Sequence, residues 1–536
     1  MHDHHSAYDG SNVTRLLRKA HAAYADGALA QAEKLYKAVL DHDPHHFEAL
    51  HGLGVLNHEL GRLPHALRFL AAALKRNPQS ADVLSHHGLV LHLLGRAEQA
   101  RSSYEAALAI EPDNVDVLNR LGVALLRCGQ PEEALAILDR ALSQDPDYVE
   151  ALGNRGNAFL KLNRPEQAIS CYDAARRIAG DSARLLTNRA HALRRLDRLE
   201  EALTDLHKAI ALDSNHAEAH FEQGMAQLAL GDFDRGWAAY ERRWETGAFM
   251  LHQRNFKSPL WTGEQSLHGR TILLHGEQGL GDTIQFARYA AQVARLGANV
   301  MLEVQPELAV LMTGVKGAAR VIARGERLGP FEFHCPLMSL PRACKTNATS
   351  IPADVPYIKV PEAKVAKWAE RLRPQKPAVG LCWAGRRSHH NDVNRSIALA
   401  RLAPLFEIAD IQFVSLQRDA SADDRALLRS CGNVLDVSDD LSDFVDTAAL
   451  ILQLDLVVTV DTALAHLAGA LAKPLVILLP FAADFRWLRG RVDSPWYPTA
   501  MLFRQPRFDD WESVIGQVRM HLSRLRATLR SAFAHA

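Results

Sequence analysis

The chain changes its hydrophobic rhythm once, near residue 250. Before that point the pattern returns every 34 residues. Small residues recur at Ala20, Gly54, Gly88, Gly122, Gly156, Ala190 and Gly224, and a second small series runs through Ala32, Ala66, Ala100, Ala134, Ala168, Ala202 and Gly236. Turn formers keep the same interval at Gly27, Gly61, Gly95, Gly129, Asn163, Asp197 and Gly231. Prolines follow at Pro44, Pro78, Pro112 and Pro146, then give way to Gly180 and Ser214. Each of the seven units therefore reads as two helices joined at the Gly/Asn/Asp turn. The small residues let the pair approach closely, and proline closes the unit because it cannot continue a helix. After residue 250 short apolar runs alternate with helical stretches: TILLHGE, a helix from about Thr283 to Leu296, NVMLEV, then AVGLCWAG, IQFVSLQ, LDLVVTV and PLVILLP. That alternation predicts parallel sheets covered by helices. The polar stretch at residues 361–377 divides the region in two.

The 34-residue spacing matches the tetratricopeptide repeat, whose helix pairs must stack because one pair alone cannot bury its apolar face. The expected organisation is a tail at 1–12, seven repeats at 13–250, and two α/β halves at 251–375 and 376–536. A stack of this kind forms a superhelix with a concave groove, which binds a protein segment and carries no catalysis of its own. Asn154 and Asn188 hold equivalent positions on the first helix of successive repeats and are expected to face that groove. An amide there can donate to and accept from a peptide backbone without reading its side chains. This resembles, in part, the asparagine ladder of protein O-GlcNAc transferases; the same position holds Gly52, His86, Arg120 and Glu222 in other repeats. Two solvated amides are the alternative. In the seventh repeat Trp237, Tyr240 and Trp244 fall at helical spacing, either as a core stripe against the next domain or as a carbohydrate platform.

Three loops in the second half carry candidate chemistry, each following a strand-like run. GEQGLGDT, residues 276–283, lacks the lysine of a P-loop and places Asp282 where phosphate would sit. The glycines Gly279 and Gly281 then serve a tight turn that presents a carboxylate, or Asp282 is a helix cap. WAGRRSHHNDVNRS, residues 383–396, gathers Arg386, Arg387, His389, His390, Arg395 and Ser396, and arginines suit a pyrophosphate; a solvated loop is the alternative. VVTVDTALAH ends a buried run at Asp461 and Thr462 and opens a helix bearing His466. The first N–H groups of such a helix form an anion site.

These loops together resemble GT-B glycosyltransferases of the ADP-heptose:lipopolysaccharide heptosyltransferase type. The resemblance rests on Gly281-Asp282 in the first half and on Asp461, Thr462 and His466 in the second. With the repeats, the chain is similar to bacterial repeat-containing protein glycosyltransferases, including those that modify flagellin. Ala463 stands where that family usually has glycine, so donor identity is not carried over. The resemblance implies an α-helical superhelix followed by a GT-B fold of two Rossmann-like halves. A nucleotide-sugar co-substrate would bind the C-terminal half through Arg387, Arg395, Ser396, Asp461, Thr462 and His466, with Gln417 at the nucleotide. Asp282 would act as general base on a protein hydroxyl, help worth roughly a hundred- to ten-thousandfold. The anomeric centre would invert. Helix dipole and arginines would stabilise the leaving phosphate, so no metal or other cofactor is expected; the Asp232/Asp234 pair lies within the repeats. Two alternatives stand beside this reading: an inactive scaffold or chaperone, and an enzyme acting on lipopolysaccharide.

Composition trims the picture further. Lys plus Arg equals Asp plus Glu at 62 each, which argues against a general nucleic-acid binder. Six cysteines form no CxxC pair, which disfavours a zinc ribbon and fits a reducing compartment. No apolar run reaches the roughly 18–20 residues of a membrane span, and MHDHHSAYDG lacks a signal-peptide core. A cytoplasmic protein is expected. His2, His4 and His5 are read as part of a polar tail rather than a metal site.

Overall fold

The computed structural model describes residues 10–372, 376–387 and 391–533. The chain divides into two compact units, residues 1–192 and 193–536. His2, His4, His5, His389 and His390 lie outside the described residues.

The first unit is a stack of antiparallel helix pairs. Its first helix starts at Gly10 and runs to Ala25, its partner spans Leu29–His42, and the pattern continues through Pro165–Ala179. The 34-residue small positions sit where the periodicity requires them: a Cβ on Gly88 would lie 2.6 Å from the Tyr104 ring, and one on Gly54 2.6 Å from Leu70. The turn positions take positive φ, 69° at Gly61 and 56° at Asn163, a conformation that glycine and asparagine tolerate best.

The second unit begins with the last helix pairs, Leu199–Leu212 with its neighbours and then Ala217–Ala229 with Phe233–Tyr240. Two parallel sheets follow. The first has strands β1 (Thr271–His275), β2 (Asn299–Val304), β3 (Arg320–Ala323) and β4 (Phe333–Pro336), in the order β3-β2-β1-β4. The second has β5 (Ala378–Cys382), β6 (Gln412–Ser415), β7 (Val434–Asp436), β8 (Leu456–Val460), β9 (Leu475–Leu479) and β10 (Ala500–Arg504), in the order β10-β9-β8-β5-β6-β7. Strands β5, β8 and β9 are buried along their whole length, as strands covered on both faces must be. A helical repeat stack followed by α/β sheets is thus the architecture of the chain.

Strand order places the loops. In the first sheet it reverses between β1 and β4, so the loop after β1 opens at a crevice. In the second it reverses between β5 and β8, whose following loops open at Trp383 and Asp461. All three candidate loops therefore leave carboxyl ends of strands at switch points. One expectation is corrected: the helix read from Thr283 to Leu296 is two helices, Leu280–Phe286 and Tyr289–Arg295. At the break the buried Arg288 donates through Nε to the Gln285 carbonyl (2.8 Å) and through Nη1 to the Trp496 carbonyl (2.6 Å). A tertiary demand on one arginine interrupts an otherwise helical pattern.

Candidate functional site

Asp282 sits in the first turn of helix 280–286. Its Oδ2 accepts the Gly279 N–H at 2.8 Å, and its Oδ1 is ion-paired with Arg486 Nη2. The carboxylate is thus both a helix cap and the partner of a cation from the other sheet. Arg486 follows β9 and is itself nearly buried. It donates through Nε to Gln285 Oε1 (2.7 Å) and through Nη1 to Asp484 Oδ1 (2.7 Å), and its guanidinium lies 4.7 Å over the Phe485 ring. Burial works against its charge, but Asp484 and Asp282 outweigh that and hold it firmly protonated.

Gly281 brings the two sheets into contact. A Cβ there would lie 2.8 Å from His466 Cδ2 and 3.4 Å from Ala463 Cα. Helix 280–286 therefore rests on the first turns of helix 463–470. His466 is buried, stacked on Trp487 with ring centroids 5.6 Å apart, and its Nδ1 lies 3.0 Å from the Tyr497 hydroxyl. Burial, reinforced by Arg486 and Arg288, pushes its pKa well down, so the imidazole is neutral.

The remaining predicted residues knit the C-terminal loops together. Thr462 caps helix 463–470 by accepting the Leu464 N–H at 3.3 Å. Asp461 offers its carbonyl to Arg395 Nη1 at 2.9 Å. Its half-buried carboxyl is raised to about 6 by desolvation and by Asp484, with Arg395 and Arg486 among the groups offsetting them. Ser396 Oγ donates to Asp392 Oδ1 (2.8 Å) and accepts the Gly385 N–H (2.9 Å). Gln417 Oε1 accepts the Ala384 N–H at 3.0 Å and the Cys382 thiol at 3.3 Å. Arg386 and Arg387 are exposed and make no hydrogen bond among the described residues. In the first unit, Asn154 Nδ2 donates to Asn119 Oδ1 at 2.8 Å, in line with the Arg120–Ser85 (2.8 Å) and His51–His86 (3.3 Å) contacts between successive repeats. Asn188 is half-buried.

Two functional candidates escaped the sequence reading. Arg486 could have been suspected from DFRW closely following the apolar run PLVILLP, at the end of a strand adjacent to β8. Glu277 stood inside the first loop. Its carboxyl is buried, accepts Arg243 Nη2 at 3.2 Å and the Met338 N–H at 3.1 Å, and burial raises its pKa to about 7 against the pull of Arg243. Among the described residues no group of three or more His, Cys, Asp or Glu could hold a metal ion, and no helix is long and apolar enough to cross a membrane.

Residues 23–86, 91–147 and 129–191, and residues 64–115 and 187–248, match two tetratricopeptide repeat families. Residues 442–483 match glycosyltransferase family 9 (heptosyltransferase). That segment contains β8, β9, Asp461, Thr462 and His466. Protein FlbA of Caulobacter vibrioides is 27% identical over 331 residues, which are 56% of this chain and 54% of that protein. The chain thus spans about half the length of that relative. Among solved structures, a tetratricopeptide repeat protein from Parabacteroides merdae is 19% identical and covers 44% of this chain and 94% of its own (TM-score 0.40). PilF of Pseudomonas aeruginosa is 19% identical over 39% and 94% (TM-score 0.35). The chain thus combines helix pairs that match tetratricopeptide repeat families with a C-terminal segment similar to glycosyltransferase family 9 (heptosyltransferase).

Proposed function

We propose that the chain moves a sugar from a nucleotide-sugar donor to a Ser or Thr hydroxyl of a protein that its repeats recruit. One observation supports this most: Gly281 abuts His466, so the Asp282 loop of the first sheet meets the family 9 segment of the second. The donor's phosphate lies at the start of helix 463–470, where N–H groups and the helix dipole favour negative charge. Arg395 reaches the Asp461 carbonyl there, and Arg387 is exposed on the preceding loop. Asp282 takes the acceptor's proton as the hydroxyl attacks the anomeric carbon from the face opposite the leaving nucleotide, which inverts that centre. With helix dipole and arginines on the leaving phosphate, the reading calls for no metal ion. The groups expected to hold the sugar's hydroxyls are the Asp461 carboxylate and the neutral His466. Domain limits at 250 and 375 remain part of this reading. Because residues 193–536 form one compact unit, a truncation that separates capture from chemistry ends at residue 192.

Flagellin is the acceptor suggested by the resemblance to repeat-containing glycosyltransferases. The test is intact-mass analysis of proteins captured by the full chain, before and after adding UDP-, GDP-, ADP- and CMP-linked sugars. A mass gain of one glycosyl residue on a captured protein supports the proposal. No gain with any donor, together with no donor binding by calorimetry, marks the chain as an inactive scaffold.

A further inference from the structure

The seventh repeat ends inside the transfer site. Helix Phe233–Tyr240 runs into a 3-10 turn, Glu241–Glu245, and Trp237, Tyr240 and Arg243 from these turns also reach beyond the repeat. The Tyr240 hydroxyl accepts Gln278 Nε2 at 2.8 Å. Arg243, fully buried, donates to Glu277 Oε1 at 3.2 Å, to Ser339 Oγ at 2.7 Å and to Glu241 Oε1 at 2.7 Å. Trp237 meets Phe286 edge-on at 6.2 Å and Phe485 edge-on at 5.5 Å. Glu277 and Gln278 precede Gly279 and Asp282, Phe286 ends the helix that carries Asp282, and Phe485 adjoins Arg486. Side chains from two turns of one repeat therefore grip the chain on both sides of Asp282 and beside its ion-pair partner.

We propose that the end of the seventh repeat is a positioning element of the transfer site: Tyr240 and Arg243 fix the Glu277–Gln278 segment that sets the reach of Asp282. The repeats then act on the chemical step as well as on acceptor capture. This rests on the reading of Asp282 as the base. The geometry is economical in one respect, since Gln278 is also held on its far side: its carbonyl accepts Gln305 Nε2 at 2.7 Å, and Gln305 Oε1 accepts Thr283 Oγ1 at 2.9 Å. Tyr240 supplies the second anchor of a segment already tied to β2's end. Arg243 cannot be replaced by lysine without loss, because a point charge cannot bridge Glu277, Ser339 and Glu241 as a planar fork does.

The test uses the full chain with Tyr240→Phe, which keeps the ring and removes one hydroxyl, and Arg243→Lys as the stronger change. Hydrogen exchange is followed over residues 276–286, and sugar transfer over donor concentration. In Tyr240→Phe, exchange at 277–282 is expected to speed up about tenfold with the rest of the second unit unchanged. Turnover is expected to fall about tenfold while the KM for the nucleotide-sugar stays within about twofold. Unchanged exchange in both variants overturns the inference whatever the activity. Faster exchange with wild-type turnover also overturns it, by reducing the contact to structural packing. Full transfer by Asp282→Asn sinks the base assignment itself, an outcome separable from the local exchange result.

Discussion

Replacing Gly281 by alanine puts one methyl group into the contact that joins the two sheets. The new Cβ would lie 2.8 Å from His466 Cδ2 and 3.5 Å from its Nε2. Ordinary carbon contacts begin near 3.5 Å, so the overlap is about 0.7 Å. His466 has little room to retreat, being stacked on Trp487 and bonded to the Tyr497 hydroxyl. Overpacking of this kind costs about 1–3 kcal/mol. Alanine also favours the helix over glycine by up to about 1 kcal/mol, less in a first turn. The clash wins, and a net loss of up to about 3 kcal/mol is expected for the second unit. Urea unfolding followed by tryptophan fluorescence isolates that unit, because all eight tryptophans lie at or beyond Trp237. Sign, not size, makes the test sharp. In a His466→Ala background the obstacle is gone, so Gly281→Ala should become neutral or stabilising. The two backgrounds should then differ by about 1–3 kcal/mol, the scale of directly touching pairs. Equal effects in both would refute the contact between helices 280–286 and 463–470, and with it the joining of the two candidate loops.

Two further outcomes follow from the buried charges. Arg486→Met removes the cation shared by Asp282 and Asp484, and should cost the second unit about 3–5 kcal/mol in the same assay; a loss below about 1 kcal/mol would contradict the ion-pair geometry. Glu277 titrates near 7 in the fold against 4.5 for the free group. Its stabilising contribution is therefore complete below about pH 4.5 and is lost as pH rises through about 7. Glu277→Gln should gain on the wild type by at most about 3 kcal/mol across that window, and a pH-independent difference between the two would refute the raised pKa.

The repeats were legible because a fixed period constrains many residues at once, and Gly54, Gly88, Gly122 and Gly156 each face a bulky side chain, Leu70, Tyr104, Leu138 and Tyr172. Strands β5, β6, β8 and β9 of the second sheet were legible because burial leaves nearly continuous apolar runs, whereas the partly exposed β7 and β10 were not read. The three loops followed from those strands. The hydrogen bonds that polar side chains make within the loops were not legible. Gln417, read as a nucleotide contact, holds the Ala384 N–H, and the Thr462 hydroxyl caps its own helix. Nor could sequence spacing pair Asp282 with Arg486, 204 residues later, or send Arg243 from a repeat into the first sheet. Such pairings depend on tertiary packing, as does the helix break at Arg288. The aromatic stripe of the seventh repeat did resolve: Trp237 and Tyr240 are buried in the core shared with the sheets, while Trp244 is half-buried beneath the Arg243 guanidinium.

The most direct measurement is sugar transfer by Asp282→Asn, read as glycosyl mass added to a protein captured by the repeats. The amide keeps the shape of the carboxylate and cannot take a proton. Transfer should fall by at least about a hundredfold, with nucleotide-sugar affinity by calorimetry changed far less, because the proposed donor contacts lie on the other sheet. Wild-type transfer by that variant would contradict the assignment of Asp282 as the base.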